Sequence, residues 1–435
     1  MAASQRKPLK EACVKIGSGA TPRGGKEAYR GGATALIRSQ NVYNDQFSYD
    51  GLAYIDDVQA EELANVVVCE GDVLLNITGD SVARCCRAPA DVIPARVNQH
   101  VAIIRPDPSL LHAGFLRYVL VSPEYQHHLL ALASAGATRN ALTKGMIEAL
   151  EVPLPPIPEQ QRIAHILSTL DDKIELNRRM NATLEGISRA IFKSWFVDFD
   201  PVRQKAAGMQ PVGMDSQTAA LFPDSFEDSE IGEVPKGWCA GCLGDIAETI
   251  RRSVRPDEIA PDTPYIALEH MPRRCIALSE WDSAAALESN KSQFQRGEIL
   301  FGKLRPYFHK VGVAPLDGVC STDIVVVRPK SPQCFGYVLG HMSSDAFVAY
   351  TNAGSTGTKM PRTNWEDMAK YGVVIPPDEI TRAFDCVVKD ATNSMNSRIF
   401  QSRTLAALRD TLLPKLLSGE IRVPEAEQAV EEAMT

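Results

Sequence analysis

Residues 159–196 read EQQRIAHILSTLDDKIELNRRMNATLEGISRAIFKSWF. Within them Ile163, Leu167, Leu170, Ile174, Asn177, Asn181, Leu184, Ser188, Ile191 and Trp195 follow one another at spacings of four and three. This is the period of a coiled-coil seam, because 3.5 residues per turn keep one stripe turned to a partner helix. Shifting each position by 221 lands on Phe384, Val388, Ala391, Met395, Arg398, Ser402, Leu405, Arg409, Leu412 and Leu416. Apolar answers apolar at every place, and polar answers polar at 177/398, 181/402 and 188/409. The pattern predicts two equal helices packed on each other with a shared polar gap in mid-seam. Buried polar residues there fix register at a cost in stability. The alternative is that each helix packs separately on its own globular neighbour. Pro155-Pro156 and Pro376-Pro377 stop whatever precedes the helices, and Pro414 is expected to kink the end of the second.

Working outward, the rest of the chain repeats as well. PLKEACVKIGSGATP (8–22) answers CLGDIAETIRRSVRP (242–256), and GDVLLNITGD (71–80) answers GEILFGKLRP (297–306). HVAIIRP (100–106) answers DIVVVRP (323–329), SAGATRN (134–140) answers NAGSTGT (352–358), and VPLPPIPE (152–159) answers VVIPPDE (373–379). Short apolar runs bounded by Gly, Pro and Asp read as strands. The expected class is α+β, with two tandem β-rich domains and two long helices related by an internal pseudo-twofold. The boundaries are 1–157 for the first β-rich domain, 158–200 for the first helix and 201–237 for an acidic, Gly/Pro/Ser-rich linker. They continue with 238–377 for the second domain, 378–420 for the second helix and 421–435 for a frayed acidic tail.

Composition sets limits on this reading. At 435 residues, 44% hydrophobic and 23% charged, the chain is an ordinary globular protein, not a disordered or fibrous one. No apolar run approaches the ~18 residues of a membrane span, and MAASQRKPLKEA lacks a signal-peptide core. Ten scattered cysteines fit a reducing compartment, so a cytoplasmic location is expected.

Motifs that would carry chemistry fail on inspection. GATPRGGKE (19–27) has Ala20 and Glu27 where a phosphate loop needs Gly and Ser/Thr. Cys239 and Cys242 form a lone CxxC without a second pair at zinc spacing, and read better as buried small hydrophobes. Cys85 and Cys86 are adjacent and unsuited to one metal; His127-His128 belongs to a helix surface. No Asn/Asp-Pro-Pro-aromatic tetrad of an amino-methyltransferase occurs, nor a nuclease-like carboxylate cluster. The chain reads as non-catalytic, with no metal or cofactor of its own.

What remains are polar and basic clusters in the loops. The first domain offers Thr21, Arg23, Arg38, Gln40, Asn41, Asn76, Thr78, Arg84, Arg87, Asn98, Gln99, His100, Arg139, Asn140 and Lys144. The second offers Arg251, Arg252, Arg255, Glu269, His270, Arg273, Arg274, Lys303, Arg305, Lys310, Lys359, Arg362 and Asn364. Arg and Lys suit guanine edges, Asn and Gln suit adenine edges, and all reach phosphate, so these are candidate DNA contacts. The other reading is that they are ordinary solvated loop residues. Trp195 and Phe196, with Val197 and Phe199, form an aromatic cluster that is either a partner docking patch or packing for the adjoining domain.

LPPIPEQQRIAHILSTLDDKIELNRRMNATLEGISRAIFKSWFVDFDPV (154–202) resembles the central region of the specificity subunit, HsdS, of type I restriction–modification systems. GATPRGGKEAYRGG, LFGKLRPYFHK and LPKLLSGEIRV extend the resemblance to almost the whole chain. The second helix start, PPDEITRAFDCVV, departs from it by lacking the EQQ-R-I run. The resemblance implies that each β-rich unit is a target recognition domain for one half of a split, asymmetric DNA site. It implies that the helices lie antiparallel as a spacer, with seam residues such as Leu184, Leu405 and Leu416 and the Trp195–Phe196 patch at helix or partner contacts. It implies two methyltransferase subunits that bring S-adenosylmethionine and methylate adenine, and restriction subunits that use ATP and Mg. Rival readings are a self-contained DNA methyltransferase or nuclease, and a protein-only scaffold.

The formal charge of −8 seems at first to argue against DNA. Yet the linker carries three basic and six acidic residues, and the tail one and four, so most of the excess lies outside both domains. Near-neutral domains with positive charge bunched in loops should bind DNA weakly alone, leaving much of the phosphate clamp to partners.

Overall fold

The computed structural model describes all residues except 1–5, 23, 25–28, 30, 45, 136–139, 231, 358 and 435. Two compact units result, one of residues 1–174 with 404–435, the other of 175–403.

In the first unit one sheet orders Cys13–Ser18, Val101–Pro106, Val73–Asn76 and Cys85–Arg87, all antiparallel. A second orders Ala53–Ile55, Thr34–Ile37, Ala95–Val97 and Val67–Val68, with its middle pair parallel. The strand Val73–Asn76 shows why its sequence is apolar at every place. Side chains alternate faces along a strand. Val73 and Leu75 join the core made with the helices, while Leu74 joins the core made with the second sheet. Cys85 and Cys86 likewise go to opposite cores, which separates their thiols; burial also pushes the Cys85 thiol up. Arg6–Pro8 pairs with Glu151–Pro153, tying the start of the domain to its end.

The second unit repeats the plan. Ala247–Thr249, Ile324–Pro329, Ile299–Gly302 and Val311–Val313 form the first sheet. Ser253–Val254, Lys291–Phe294, Gly318–Cys320, Pro264–Ile266 and Asp282–Ser283 form the second, again with one parallel pair and with Ser253–Val254 added at an edge. Ile299 and Phe301 face the helical core, and Leu300 faces the other sheet. Cys239–Cys242 pairs with Gly372–Ile375, the counterpart of the terminal pair in the first unit. Cys239 is exposed there and Cys242 only half-buried, which corrects their reading as buried hydrophobes; the strand pairs on one side only.

The helices of the seam are Ile157–Phe196 and Asp378–Ser418, of 40 and 41 residues. In the first unit Ile163, Leu167 and Leu170 share a core with Leu405, Leu412 and Leu416, with Ile174 at its margin. In the second unit Phe192, Trp195 and Phe196 share a core with Phe384, Val388, Ala391 and Met395, and Leu184 and Ile191 flank it. Early residues of one helix meet late residues of the other in both cases, so the seam is antiparallel. The expected polar gap forms within the second unit. Asn177 Nδ2 donates to Gln401 Oε1 (2.9 Å) and Ser402 Oγ (3.2 Å), and Asn181 Nδ2 to the Met395 carbonyl (3.4 Å). The second helix continues through Pro414.

One open pair of readings is resolved, and two expectations need correction. Trp195 and Phe196 are 7% and 4% exposed, packed among Phe222, Trp238, Tyr337 and Phe384, so they serve the domain core and offer no docking surface. The 201–237 stretch contains helices Asp200–Ala206 and Ser216–Leu221 and a hairpin of Phe226–Ser229 with Gly232–Pro235. Its anchors, Val202 and Phe222, are single apolar residues docked on the aromatic core, which leaves no period to read. The tail forms a helix, Val423–Met434, that buries Val423, Ala426 and Val430.

Candidate nucleic-acid interface

In each unit the loops at one end of the two sheets close on a frame of backbone hydrogen bonds. In the first unit Asn76 N donates to Arg84 O (2.8 Å), Ile77 N to His100 O (2.9 Å) and Leu142 N to Ile77 O (2.8 Å). Gly79 N donates to Asn140 O (3.2 Å) and Asn98 N to Ile37 O (3.0 Å). In the second unit Gly302 N donates to Lys310 O (2.9 Å), Lys303 N to Asp323 O (2.9 Å) and Thr363 N to Lys303 O (3.1 Å). Arg305 N donates to Pro361 O (2.7 Å) and Ser321 N to Ile266 O (3.0 Å). Bond for bond these are the same pairings. The sequence clusters at 38–41, 76–84, 98–100 and 140–144 are thereby drawn together, and so are their counterparts. Gly19 N and Ala20 N, bonded to Val101 O and Val97 O, add the loop of Thr21 to the first set.

The frame decides what each candidate can do. Asn41 is fully buried: its Oδ1 accepts from Arg38 N (3.0 Å) and its Nδ2 donates to Ser48 O (2.9 Å). His270 repeats the cap, with Nδ1 accepting from Ala267 N (3.0 Å) and Nε2 3.3 Å from Asp282. Asn76 is also fully buried and donates to Ser39 O (2.9 Å); buried Asn98 accepts from His100 N (3.1 Å). These four hold loops in shape through the bonds their side chains make.

Other candidates present their chemistry at the surface. Thr21, Gln40, Gln99 and Asn140 are exposed. Thr78 Oγ1 lies 2.6 Å from His100 Nδ1, and Gln99 Nε2 lies 3.2 Å from His100 Nε2, which makes a small polar chain. Arg84 lies over Tyr43 at 4.7 Å; Arg38, over Tyr29 at 5.4 Å, is instead half-buried, its Nη2 donating to the Gly51 carbonyl and its Nε enclosed. Lys144 opens a short helix and faces Glu148 at 3.4 Å. Arg23 and Arg139 lie outside the described residues.

The second unit differs in its electrostatics. Arg251 pairs with Glu366, Arg252 with Glu298 (3.6 Å), Arg255 with Glu258 (2.8 Å), Arg274 with Asp345 (2.7 Å) and Arg362 with Asp323 (3.2 Å). Lys310 donates to Leu268 O, and burial together with Arg273 pulls its amine down. Arg273 and Arg305 face the Phe308 ring at 4.1 and 5.9 Å. Lys303 lines a cleft of about 300 Å³ with Arg251, Asn364 and Trp365, and Lys359 is exposed.

Sequence reasoning passed over the aromatic partners Tyr29, Tyr43 and Phe308, and the half-exposed Tyr307. The signal for the last two was present in LRPYFHK, where Pro-Tyr-Phe directly follows Arg305. No group of three or more metal-ligating side chains and no helix apolar enough to cross a membrane occurs among the described residues.

Each unit thus carries the same loop frame with different side chains on it, beside antiparallel segments of the two long helices. Known proteins share this organisation. Residues 5–186 match the model of the type I restriction modification DNA specificity domain. The chain is 25% identical over 432 residues to the type I restriction enzyme HindI specificity subunit of Haemophilus influenzae, covering 89% of this chain and 94% of that one. It is 26% identical over 429 residues to the MjaIX specificity subunit of Methanocaldococcus jannaschii, covering 94% and 92%. Its fold is similar to that of the type I restriction–modification S subunit from M. genitalium, with a TM-score of 0.56, 15% identity and 95% of each chain covered. The chain is thus similar, along nearly its whole length, to specificity subunits of type I restriction enzymes.

Proposed function

We propose that this chain is the DNA-sequence-specificity component of a type I restriction–modification complex, in which each domain reads one half of a bipartite, asymmetric site. One observation carries the reading. The same backbone frame carries Thr78, Arg84 and Gln99 in one domain and Leu304, Lys310 and Thr322 at the matching places in the other. A duplicated frame with unlike donors and acceptors suits two unlike base sequences, since base edges are told apart by their hydrogen-bond patterns.

In this reading the chain does no chemistry. Two methyltransferase subunits bind a pseudo-twofold partner, as repeated surfaces suit repeated partners. They supply S-adenosylmethionine and act on an adenine extruded from the duplex. Restriction subunits add ATP- and Mg-dependent steps. A 40-residue helix spans about 60 Å, longer than the ~34–36 Å of one duplex turn, so the helices can serve as a spacer between half-sites.

Methylome sequencing of cells carrying this chain with its methyltransferase tests the proposal. The expected result is one bipartite motif with a fixed spacer, and a change in only one half when residues 1–157 are exchanged for a relative's. An absence of any methylated sequence class leaves a scaffold; stoichiometric S-adenosylmethionine binding by the purified chain points instead to a self-contained enzyme.

A further inference from the structure

The first unit contains a largely buried ionic junction that has no counterpart among the described residues of the second. Asp171, on the first long helix, accepts from Arg117 Nη1 (2.7 Å) and Tyr118 OH (2.6 Å) on one oxygen and from Arg409 Nη1 (2.7 Å) on the other. Arg409 lies on the second long helix, so one carboxylate ties both helices to the domain helix Ala113–Val121. The two arginines hold the Asp171 carboxyl below its ordinary range despite burial.

The junction does not end at the helices. Arg117 Nη2 donates to the Asn44 carbonyl (2.7 Å). Asn44 in turn accepts from Cys85 N on Oδ1 (2.9 Å) and donates to Gln126 Oε1 (3.1 Å). Gln126 Nε2 donates to the Ala83 carbonyl (2.9 Å). Asn44 and Ala83 sit beside Tyr43 and Arg84, the stacked pair of the loop cluster. An unbroken series of hydrogen bonds thus runs from the helix pair to two loops of the interface.

At the equivalent positions the second unit has Leu339 for Arg117, Gly340 for Tyr118, Thr392 for Asp171 and Ser188 for Arg409. The registration is secured by Ser122 and Ser344, which cap the helices Pro123–Ser134 and Asp345–Ala353 through Tyr125 N and Phe347 N. Where the first unit has guanidinium and carboxylate, the second has a mostly apolar cleft of about 300 Å³ lined by Ser188, Phe192, Leu339, Gly340 and His341.

We propose that Arg117, Asp171 and Arg409 are positioning residues for the base-reading loops of the first domain, making its sequence discrimination, and not that of the second, dependent on the helix pair. The inference rests on the proposed reading of DNA by these loops. Removing Arg117 leaves the Asn44 carbonyl without its tie, while the exposed groups that would meet DNA are untouched.

The test is selection of bound duplexes from a random pool by the full chain in complex with its methyltransferase. The wild type is compared with Arg117→Met and with Arg409→Met, and thermal unfolding is recorded for each. The half-site of the first domain is the one altered by exchanging residues 1–157. The expected result is a tenfold or greater loss of discrimination at that half-site, with discrimination at the other half-site unchanged. Equal loss at both half-sites, or loss at neither, overturns the inference. Should Arg117→Met fail to fold, Asp171→Asn, which keeps the shape of the acceptor, answers the same question with the same two outcomes. A wild-type complex that enriches no sequence defeats the reading of function itself, a result distinct from unaltered selectivity in the variants.

Discussion

Arg305 and Gly79 occupy the same place in the two loop frames, and both have left-handed backbone, with φ of 52° and 74°. His309 and Ala83 repeat the match at the far end of each turn, with φ of 52° and 73°. For a side chain with a Cβ this conformation costs roughly 1–2 kcal/mol, while glycine adopts it freely. Such strain clusters at ligand-contacting loops, so these two positions are candidates for a functional role. Arg305→Gly is therefore expected to raise the unfolding temperature slightly while weakening DNA binding by the complex, measured by calorimetry and by titration with the selected duplex. A second residue-scale prediction concerns His341, buried between Phe192 (4.9 Å) and Tyr337 (4.6 Å) with its Nε2 unpartnered. Burial pulls its pKa down to about 3. The unfolded chain takes up this proton near pH 6.5, the folded chain only near 3. The stability is thus fully present above about 6.5 and declines as pH falls toward 3, by at most about 1.4 kcal/mol per pH unit. His341→Phe should flatten that part of the acid-unfolding curve; an unchanged slope would count against it.

Among the elements, the helix pair joins two kinds of contact. Its apolar positions supply burial, and its polar gap supplies register. Asn177 is almost fully buried, and its amide is satisfied across the seam by Gln401 and Ser402. Replacing a buried polar seam residue by an apolar one commonly stabilises the pair while relaxing register. Asn177→Leu is expected to add about 1 kcal/mol to stability, read by thermal unfolding. It should also broaden the spacer length among methylated sites, read by methylome sequencing.

For the whole molecule the two domains differ in how their charge is disposed. Arginines of the second interface are already paired with Glu366, Glu298, Glu258, Asp345 and Asp323. A pair at the surface contributes little to stability but must be broken or shared before the arginine can neutralise a phosphate. Glu366→Gln and Asp345→Asn together should release Arg251 and Arg274. The expected outcome is tighter binding to random duplex and a steeper fall of log K with log salt, by up to about one to two units of slope, with little change in unfolding temperature. Titrations at several salt concentrations check this.

Periodicity is a property of the chain itself, and so the seam, its polar gap and the doubled plan of the molecule were legible in the sequence. Positions 163 to 195 and their partners 221 residues on were placed by spacing alone, and the seam that formed buries or half-buries nearly all of them. The two-faced strands announced themselves as unbroken apolar runs for the same reason. The reach of a polar side chain is not local. Asn41, Asn76 and Asn98 look like readers in sequence, yet backbone groups up to 37 residues away engage them inside the loops. Arg251 meets a carboxylate 115 residues further on, and Trp195 turns inward onto Phe222 and Phe384. Local spacing thus settled where the helices and strands lie. Which loop residues face outward depended on hydrogen bonds between distant strands, and these exist only once the chain has folded.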